Sequence, residues 1–425
     1  MPQLQLVADL PGHAEAAWSV AFNPARPLLA SCSTDKTVRL YSYTLPDSSS
    51  SSSSTFPSPS APKPTFALST TIETGHKRTV RGVAWAPGGR TLATASFDSS
   101  VAIWEEVEEG YADDAAEGID APRPAAGAAG AEDGEGEWEC VTTLEGHENE
   151  CKSVAFSADG GLLASCSRDR SVWVWEVQPD ADFECIAVMM DHSADVKAVA
   201  WHPREEILAS ASYDAHVHLM FDNPDGDWEA FQRLDPALPA ADLHIPPSAS
   251  ASLLAQMGPS AAEVAGRAVV VPPLVDAETV WSLAWSPCGK YLASGGDSGG
   301  VRLWARMGAE PDAEFVECVH TAAHSAPLFS LAWASGGEED GLGLLASAGG
   351  DGRIIVWQVT AHEGKDGVYA PPPRLEPIAA VREAHGVADV NSIAWNARED
   401  GKGVGLLSSA GDDGSVKVWR IAADE

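Results

Sequence analysis

Seven times along the chain a short apolar run closes on alanine and an aromatic residue: SVAF at 19–22, GVAW at 82–85, SVAF at 153–156, AVAW at 198–201, SLAW at 282–285, SLAW at 330–333 and SIAW at 392–395. A repeated unit of this size buries its apolar residues only against a neighbouring copy, so the copies make one architecture. A second residue keeps the frame downstream, at Tyr41, Trp104, Trp175, Met220, Trp304, Trp357 and Trp419. Two polar positions are locked to it. His13, His76, His147 and His192 each lie nine residues before the first aromatic and 22 before Asp35, Asp98, Asp169 and Asp214. His324 with Asp351, and His385 with Asp413, keep the scheme with small insertions. Copy five departs from it: Asp276 stands where histidine belongs, and Asp297 comes one position early.

Residues 139–176 give the unit in full. CVTTL, CKSVAF, GLLASCS and SVWVWE alternate apolar and polar residues and are separated by Gly-His, Ala-Asp-Gly-Gly and Arg-Asp-Arg turns, the pattern of four short strands. Four-stranded units of roughly 40–45 residues with Gly-His near the start and Trp at the end are the signature of the WD40 β-propeller. The expected fold is all-β, a single seven-bladed propeller over 1–425. Residues 3–10 (QLQLVADL) precede the first unit, and the last copy lacks an outer strand. The N-terminal strand is therefore expected to complete blade seven and close the ring, leaving no open edge.

Four insertions, 46–65, 107–137, 235–277 and 361–374, are rich in Ser, Pro, Ala, Gly or acidic residues and are expected to be flexible. All but 235–277 fall on the bottom face. That one replaces the turn where the fifth Gly-His belongs, on the top face, and 250–257 within it reads as a short helix. Seven cysteines without a Cys-x-x-Cys, and no signal peptide, point to a reducing compartment. No apolar run approaches the about 18 residues of a membrane helix. A formal charge of −35 argues against nucleic acid as the main ligand, and neither nucleic acid nor membrane is an expected partner.

The recurrent His/Asp pairs are spread one per blade, so they cannot converge on one metal. They read as structural, each histidine donating to an aspartate, with a strand hydroxyl and the closing Trp N–H continuing the network. Cys32, Cys166 and Cys151 fill slots that hold Ala or Val elsewhere, and no spacing supports a resident metal, cluster or cofactor. No catalytic constellation stands out, so the chain reads as a non-enzyme whose function falls to its surfaces. Three and five residues after each turn histidine lie the starts of the innermost strands, on the top rim of the channel. These positions hold Trp18, Arg81, Lys152, Lys197, Trp281 and Phe329. The residue before each turn aspartate points the same way, giving Phe97, Arg168 and Tyr213. Four of only 27 basic residues thus gather on blades two to four beside aromatics, a combination suited to an acidic, aromatic-containing peptide.

The runs ECVTTLEGHENECKSVAF, LASCSRDRSVWVWE, GHKRTVRGVAW, LATASFDSSVAIW and DVKAVAWHP resemble the WD-repeat protein family of cytosolic iron–sulfur protein assembly, the Cia/Ciao propellers. The resemblance is dense over 74–104 and 139–222 and stays in frame elsewhere. It implies a scaffold subunit of the cytosolic iron–sulfur cluster targeting complex, in the cytoplasm and nucleus. The implied partners are a small acidic assembly factor, a HEAT-repeat adaptor, an iron-only hydrogenase-like cluster carrier and apo iron–sulfur clients that receive [4Fe–4S] clusters. It also implies a binding role for Arg168 in its Ser-Arg-Asp turn and for Arg78 and Arg81 in Arg-Thr-Val-Arg. The alternative reading is a WD40 substrate receptor of a cullin-type ubiquitin ligase. It lacks the Trp-Asp/Glu-x-Arg ending at Trp104 and Trp175.

Overall fold

The computed structural model describes residues 2–46, 56–107, 137–179, 182–260, 263–264, 278–334, 342–361, 372–398, 400–403 and 405–423. Their strands form seven four-stranded antiparallel sheets. From the inside out, blade one is Ala17–Phe22, Leu28–Ser33, Thr37–Thr44 and Thr65–Glu73. Blade two is Val80–Trp85, Thr91–Ser96, Val101–Val107 and Glu137–Leu144; blade three is Cys151–Phe156, Leu162–Ser167, Val172–Gln178 and Asp182–Met189. Blade four is Val196–Trp201, Ile207–Ser212, Val217–Asp222 and Trp228–Leu234; blade five is Val280–Trp285, Tyr291–Gly296, Gly300–Arg306 and Phe315–Ala322. Blade six is Leu328–Trp333, Leu344–Gly349, Ile354–Thr360 and Arg374–Val381. Blade seven is Val390–Trp395, Leu406–Gly411, Ser415–Ala422 and, outermost, Gln3–Pro11.

The N-terminal strand pairs antiparallel with the last one, from Gln3 opposite Ala422 to Pro11 opposite Ser415. Inner strands touch in sequence around the ring, and the seventh touches the first. This is the seven-bladed propeller that the repeat implies. The second strand of each blade, such as Leu28–Ser33, is buried almost throughout because neighbouring blades cover both faces. That explains its small residues (Ala, Ser and Cys) between leucines. The recurrent Ala-aromatic pair stitches blades together. Trp85 donates Nε1 to the carbonyl of Ala21 at 3.0 Å, Trp201 to Ala155 at 3.0 Å, Trp285 to Ala200 at 3.0 Å and Trp395 to Ala332 at 3.1 Å. Each bond joins one blade to the blade before it.

Two insertions differ from expectation in their described parts. Composition predicts a flexible 46–65, but residues 56–63 lie against the ring closure. Arg420 donates to the carbonyls of Pro59, Ala61 and Pro62 at 2.9–3.0 Å, and Lys63 Nζ reaches the carbonyl of Leu6 at 2.8 Å. Residues 235–260 do not roof the top rim. They run along blade five, where Ala241 makes a parallel bridge to Thr321, and then form a helix, Ala251–Met257, against the outer strand of blade six. Leu253 and Met257 are buried there. Buried carbonyl-seeking arginines and apolar contacts, not repeat periodicity, fix both segments. The expectations for 47–55, 108–136, 265–277 and 362–371 lie outside the described residues.

Candidate partner-docking face

Every blade carries a β-bulge on its inner strand, and the bulged residues are Trp18, Arg81, Lys152, Lys197, Trp281, Phe329 and Asn391. These are the positions five residues after the turn histidine, with one insertion in blade seven. A bulge leaves one residue out of the ladder and re-aims its side chain. Here the same device, repeated seven times, lines the top mouth of the channel.

The turns behind this ring are held by the repeat's polar frame. His147 meets Asp169 at 2.9 Å through Nδ1 and Ser165 at 2.9 Å through Nε2, and Trp175 Nε1 donates to the same hydroxyl at 3.1 Å. Corresponding contacts join His13 to Asp35, His76 to Asp98, His192 to Asp214, His324 to Asp351 and His385 to Asp413 at 2.8–3.1 Å. Burial alone would raise the aspartate carboxyls, but hydrogen bonds from histidine and backbone N–H, joined by a serine hydroxyl at Asp98 and Asp169, hold Asp98, Asp169 and Asp214 well below the usual range. In blade five, Asp276 is outside the described residues. Glu278 takes over part of the frame, accepting from Ser298 N at 2.7 Å and pairing with Arg302 at 3.3 Å, while Asp297 accepts from Trp281 Nε1 at 2.6 Å. The missing histidine is legible in the sequence; its replacement is not.

On blades two to four the predicted basic and aromatic residues come together. Lys152 stands 2.7 Å from Glu150 and 4.3 Å above the ring of Phe97. Arg78 crosses from blade two to the other Glu150 oxygen at 2.7 Å and donates to the carbonyl of Phe97 at 2.8 Å. Arg168 lies 3.8 Å from Glu150 and 4.0 Å from Asp195. Lys197 is 3.6 Å from Asp195, 5.1 Å from the Tyr213 ring and 4.8 Å from the Trp281 ring, which packs edge-on against Phe329. Arg81 stacks on Trp18 at 4.7 Å.

Four of these cations therefore share Glu150 and Asp195, while Arg81 stands apart on Trp18. Burial would raise Glu150, but the bonds from Lys152 and Arg78 pull it below its ordinary value. Burial pushes Lys197 down; Asp195 opposes this, while the charges of Lys152 and Arg81 add to it. Arg78 and Arg168 side chains are 54% and 55% exposed, against 14% for Lys152 and 12% for Lys197. The face thus offers two accessible forks at the rim, deeper ammonium groups, and the half-exposed ring of Tyr213. It suits carboxylates carried beside apolar or aromatic side chains. Cys32 and Cys166, whose thiols burial pushes up to about 12, are inert neighbours of this ring.

The WD domain, G-beta repeat family matches residues 4–42, 68–105, 138–176, 183–219, 275–305, 316–358 and 377–420. The chain is 58% identical to a protein of Cryptococcus neoformans var. neoformans serotype D (strain JEC21 / ATCC MYA-565) over the whole length of both. It is 43% identical to one of Mycosarcoma maydis, covering 99% of this chain and 93% of the other, and 44% identical to one of Malassezia globosa over 83% and 93%. All three bear the name "Probable cytosolic iron-sulfur protein assembly protein 1".

Proposed function

Because the chain belongs to the cytosolic iron-sulfur protein assembly protein 1 family of WD40 propellers, we propose that it is a non-catalytic docking platform of that assembly system, its top rim holding an acidic, aromatic-containing segment of a protein partner. One observation carries this reading. Arg78, Lys152, Arg168 and Lys197 share Glu150 and Asp195 on three consecutive blades, with Arg81 beside them on Trp18, in a chain of formal charge −35. A local field opposed to the global one steers an acidic partner to this face and away from the rest of the surface. Phe97, Tyr213, Trp18 and Trp281 supply the apolar contacts that hold it.

The partners this reading implies are a small acidic assembly factor, a HEAT-repeat adaptor, an iron-only hydrogenase-like cluster carrier and apo iron–sulfur clients, met in the cytoplasm and the nucleus. The cluster is cargo passed among them, and this chain supplies surfaces, not ligands. The test is affinity purification of wild type beside Arg168→Glu from a cytosolic extract, with the bound proteins identified by mass spectrometry. Iron–sulfur assembly factors and clients should come with wild type, and a subset should be lost with the reversed charge. Equal recovery by both would remove Arg168 from the site; cullin adaptors in their place would overturn the functional reading.

A further inference from the structure

Arg81 is the one cation of the mouth without a carboxylate. Among the described residues no acidic oxygen lies within ion-pair distance of it and no protein acceptor takes a hydrogen bond from it; its contact is the face of Trp18 at 4.7 Å. Its neighbours on the ring differ. Lys152 has Glu150 at 2.7 Å and Lys197 has Asp195 at 3.6 Å. Arg78 and Arg168, further out, share the same two carboxylates. A guanidinium carries five donors in a rigid fork and stays charged in proteins. Its side chain is only partly exposed, so the fork keeps part of its contact with water and no fixed partner, and an oxyanion from outside the fold can take its donors.

The fold also keeps Arg81 where an outside group can reach it. It is the bulged residue between Val80 and Gly82, so its side chain leaves the ladder toward the channel mouth, as do those of Lys152 and Lys197 on the next two blades. Trp18 backs the guanidinium on one side. Lys152 and Lys197 add positive potential, felt in the downward push that Lys152 and Arg81 exert on Lys197. None of the seven bulge positions holds an acid; the charge of Asp412, which accepts from Asn391 Nδ2 at 2.7 Å, acts on Arg81 from beyond ion-pair distance.

We infer that Arg81, backed by Trp18 and flanked by Lys152 and Lys197, is the seat of one oxyanion in the channel mouth, a carboxylate or a phosphate held bidentately by the guanidinium fork. This rests on the docking reading above and deepens it: the exposed Arg78 and Arg168 steer, whereas the throat arginine takes the anion. The oxyanion comes either from an acidic side chain of the docked partner or from free phosphate.

The test is calorimetric titration of the full chain with sodium phosphate and, separately, with N-acetylglutamate, each against sodium chloride at matched ionic strength. Wild type should saturate with at least one of them. Arg81→Gln should bind at least tenfold more weakly, and Arg81→Lys, which keeps the charge without the fork, should fall between. Saturation by phosphate alone identifies a free phosphate site, and saturation by N-acetylglutamate identifies a partner's carboxylate. A wild type that does not saturate above the chloride control, or an Arg81→Gln that binds like wild type, overturns the inference. Thermal melts establish that the variants are folded; if Arg81→Gln is not, Arg81→Lys carries the comparison. The two readings fail separately. Partner loss in Arg168→Glu without oxyanion binding leaves the docking face and removes the seat; the reverse result leaves the seat and removes the docking face.

Discussion

Arg78 of blade two donates to Glu150 of blade three at 2.7 Å, and the other oxygen of that carboxylate takes Lys152 at 2.7 Å. One acid thus ties two blades together on the top face and restrains the charge of the docking rim. On the docking reading proposed above, specificity and stability are set against each other at this residue.

Replacing Glu150 by Gln should separate them. The variant keeps the side chain's shape but releases Lys152, Arg78 and Arg168 from a shared counter-charge. Stability should fall by about 1–2 kcal/mol, since a mostly buried charged partner is removed. Affinity for an acidic partner should rise, with a steeper dependence on salt. Binding measured at two salt concentrations, beside a denaturant melt, checks both. Weaker binding would mean that Glu150 itself touches the partner.

Much of this was legible beforehand, for identifiable reasons. The Ala-aromatic frame is visible because its aromatic packs against the neighbouring blade, and Trp85, Trp201, Trp285 and Trp395 must also find a particular carbonyl there, so the position cannot drift. The mouth residues are visible because a bulge always falls at the same place in the strand. What stayed hidden depends on groups every residue has. Arg420 grips the backbone carbonyls of Pro59, Ala61 and Pro62 and Arg353 those of Met257 and Pro259, and no side-chain pattern marks a carbonyl that will be gripped. Composition correctly denies these segments a core of their own but is silent on whether another part of the chain holds them. Likewise the Arg78–Glu150 pair joins residues 72 positions apart, beyond the reach of any period.

Acid should unfold the ring in two stages. Asp35 is held at about 2, and Asp98, Asp169, Asp214 and Asp351 well below their ordinary range, because hydrogen bonds to the ionised form outweigh burial. The stability these carboxylates contribute is complete above the unfolded value, about 4, and is lost as pH falls toward the folded one. His13 and His385 are lowered by burial, and His218 to about 4, so the unfolded chain takes up protons first below about 6.5. Urea midpoints should be level above pH 7, decline gently from about 6.5 and drop steeply below about 4. A midpoint unchanged between pH 7 and pH 4 would remove the histidines from the account.

Ring closure should depend on one buried arginine. Arg420 takes Gln5 Oε1 at 2.8 Å in addition to three carbonyls of the latch, and Ala423 N donates to the carbonyl of Pro57 at 2.8 Å. Arg420→Met keeps the aliphatic stem but orphans four acceptors, a loss of about 2–3 kcal/mol. Amide exchange should accelerate at Gln3–Leu6 and at the C-terminal strand before any other blade. Uniform acceleration across blades would show that the latch does not act locally.

The helix Ala251–Met257 should be separable from the ring it lies on. A seven-residue helix does not persist alone in water, so it exists by tertiary contacts. Those contacts are few and named. Ser250 Oγ caps Leu253 N at 3.1 Å, and the side chains of Leu253 and Met257 enter the blade five–six core. Arg382 N donates to Gln256 Oε1 at 2.9 Å, and Arg353 reaches the carbonyls of Met257 and Pro259 while pairing with Asp351 at 2.7 Å. Met257→Ala removes the larger apolar anchor and should cost about 2–4 kcal/mol locally. Because Arg353 retains Asp351 when the helix leaves, the blade six turn should stay formed. Hydrogen exchange should therefore rise over 250–258 while the amides of Ile354–Thr360 stay protected and binding at Arg168 is unchanged. Simultaneous loss of protection in blade six would mean that the helix supports the ring instead of resting on it.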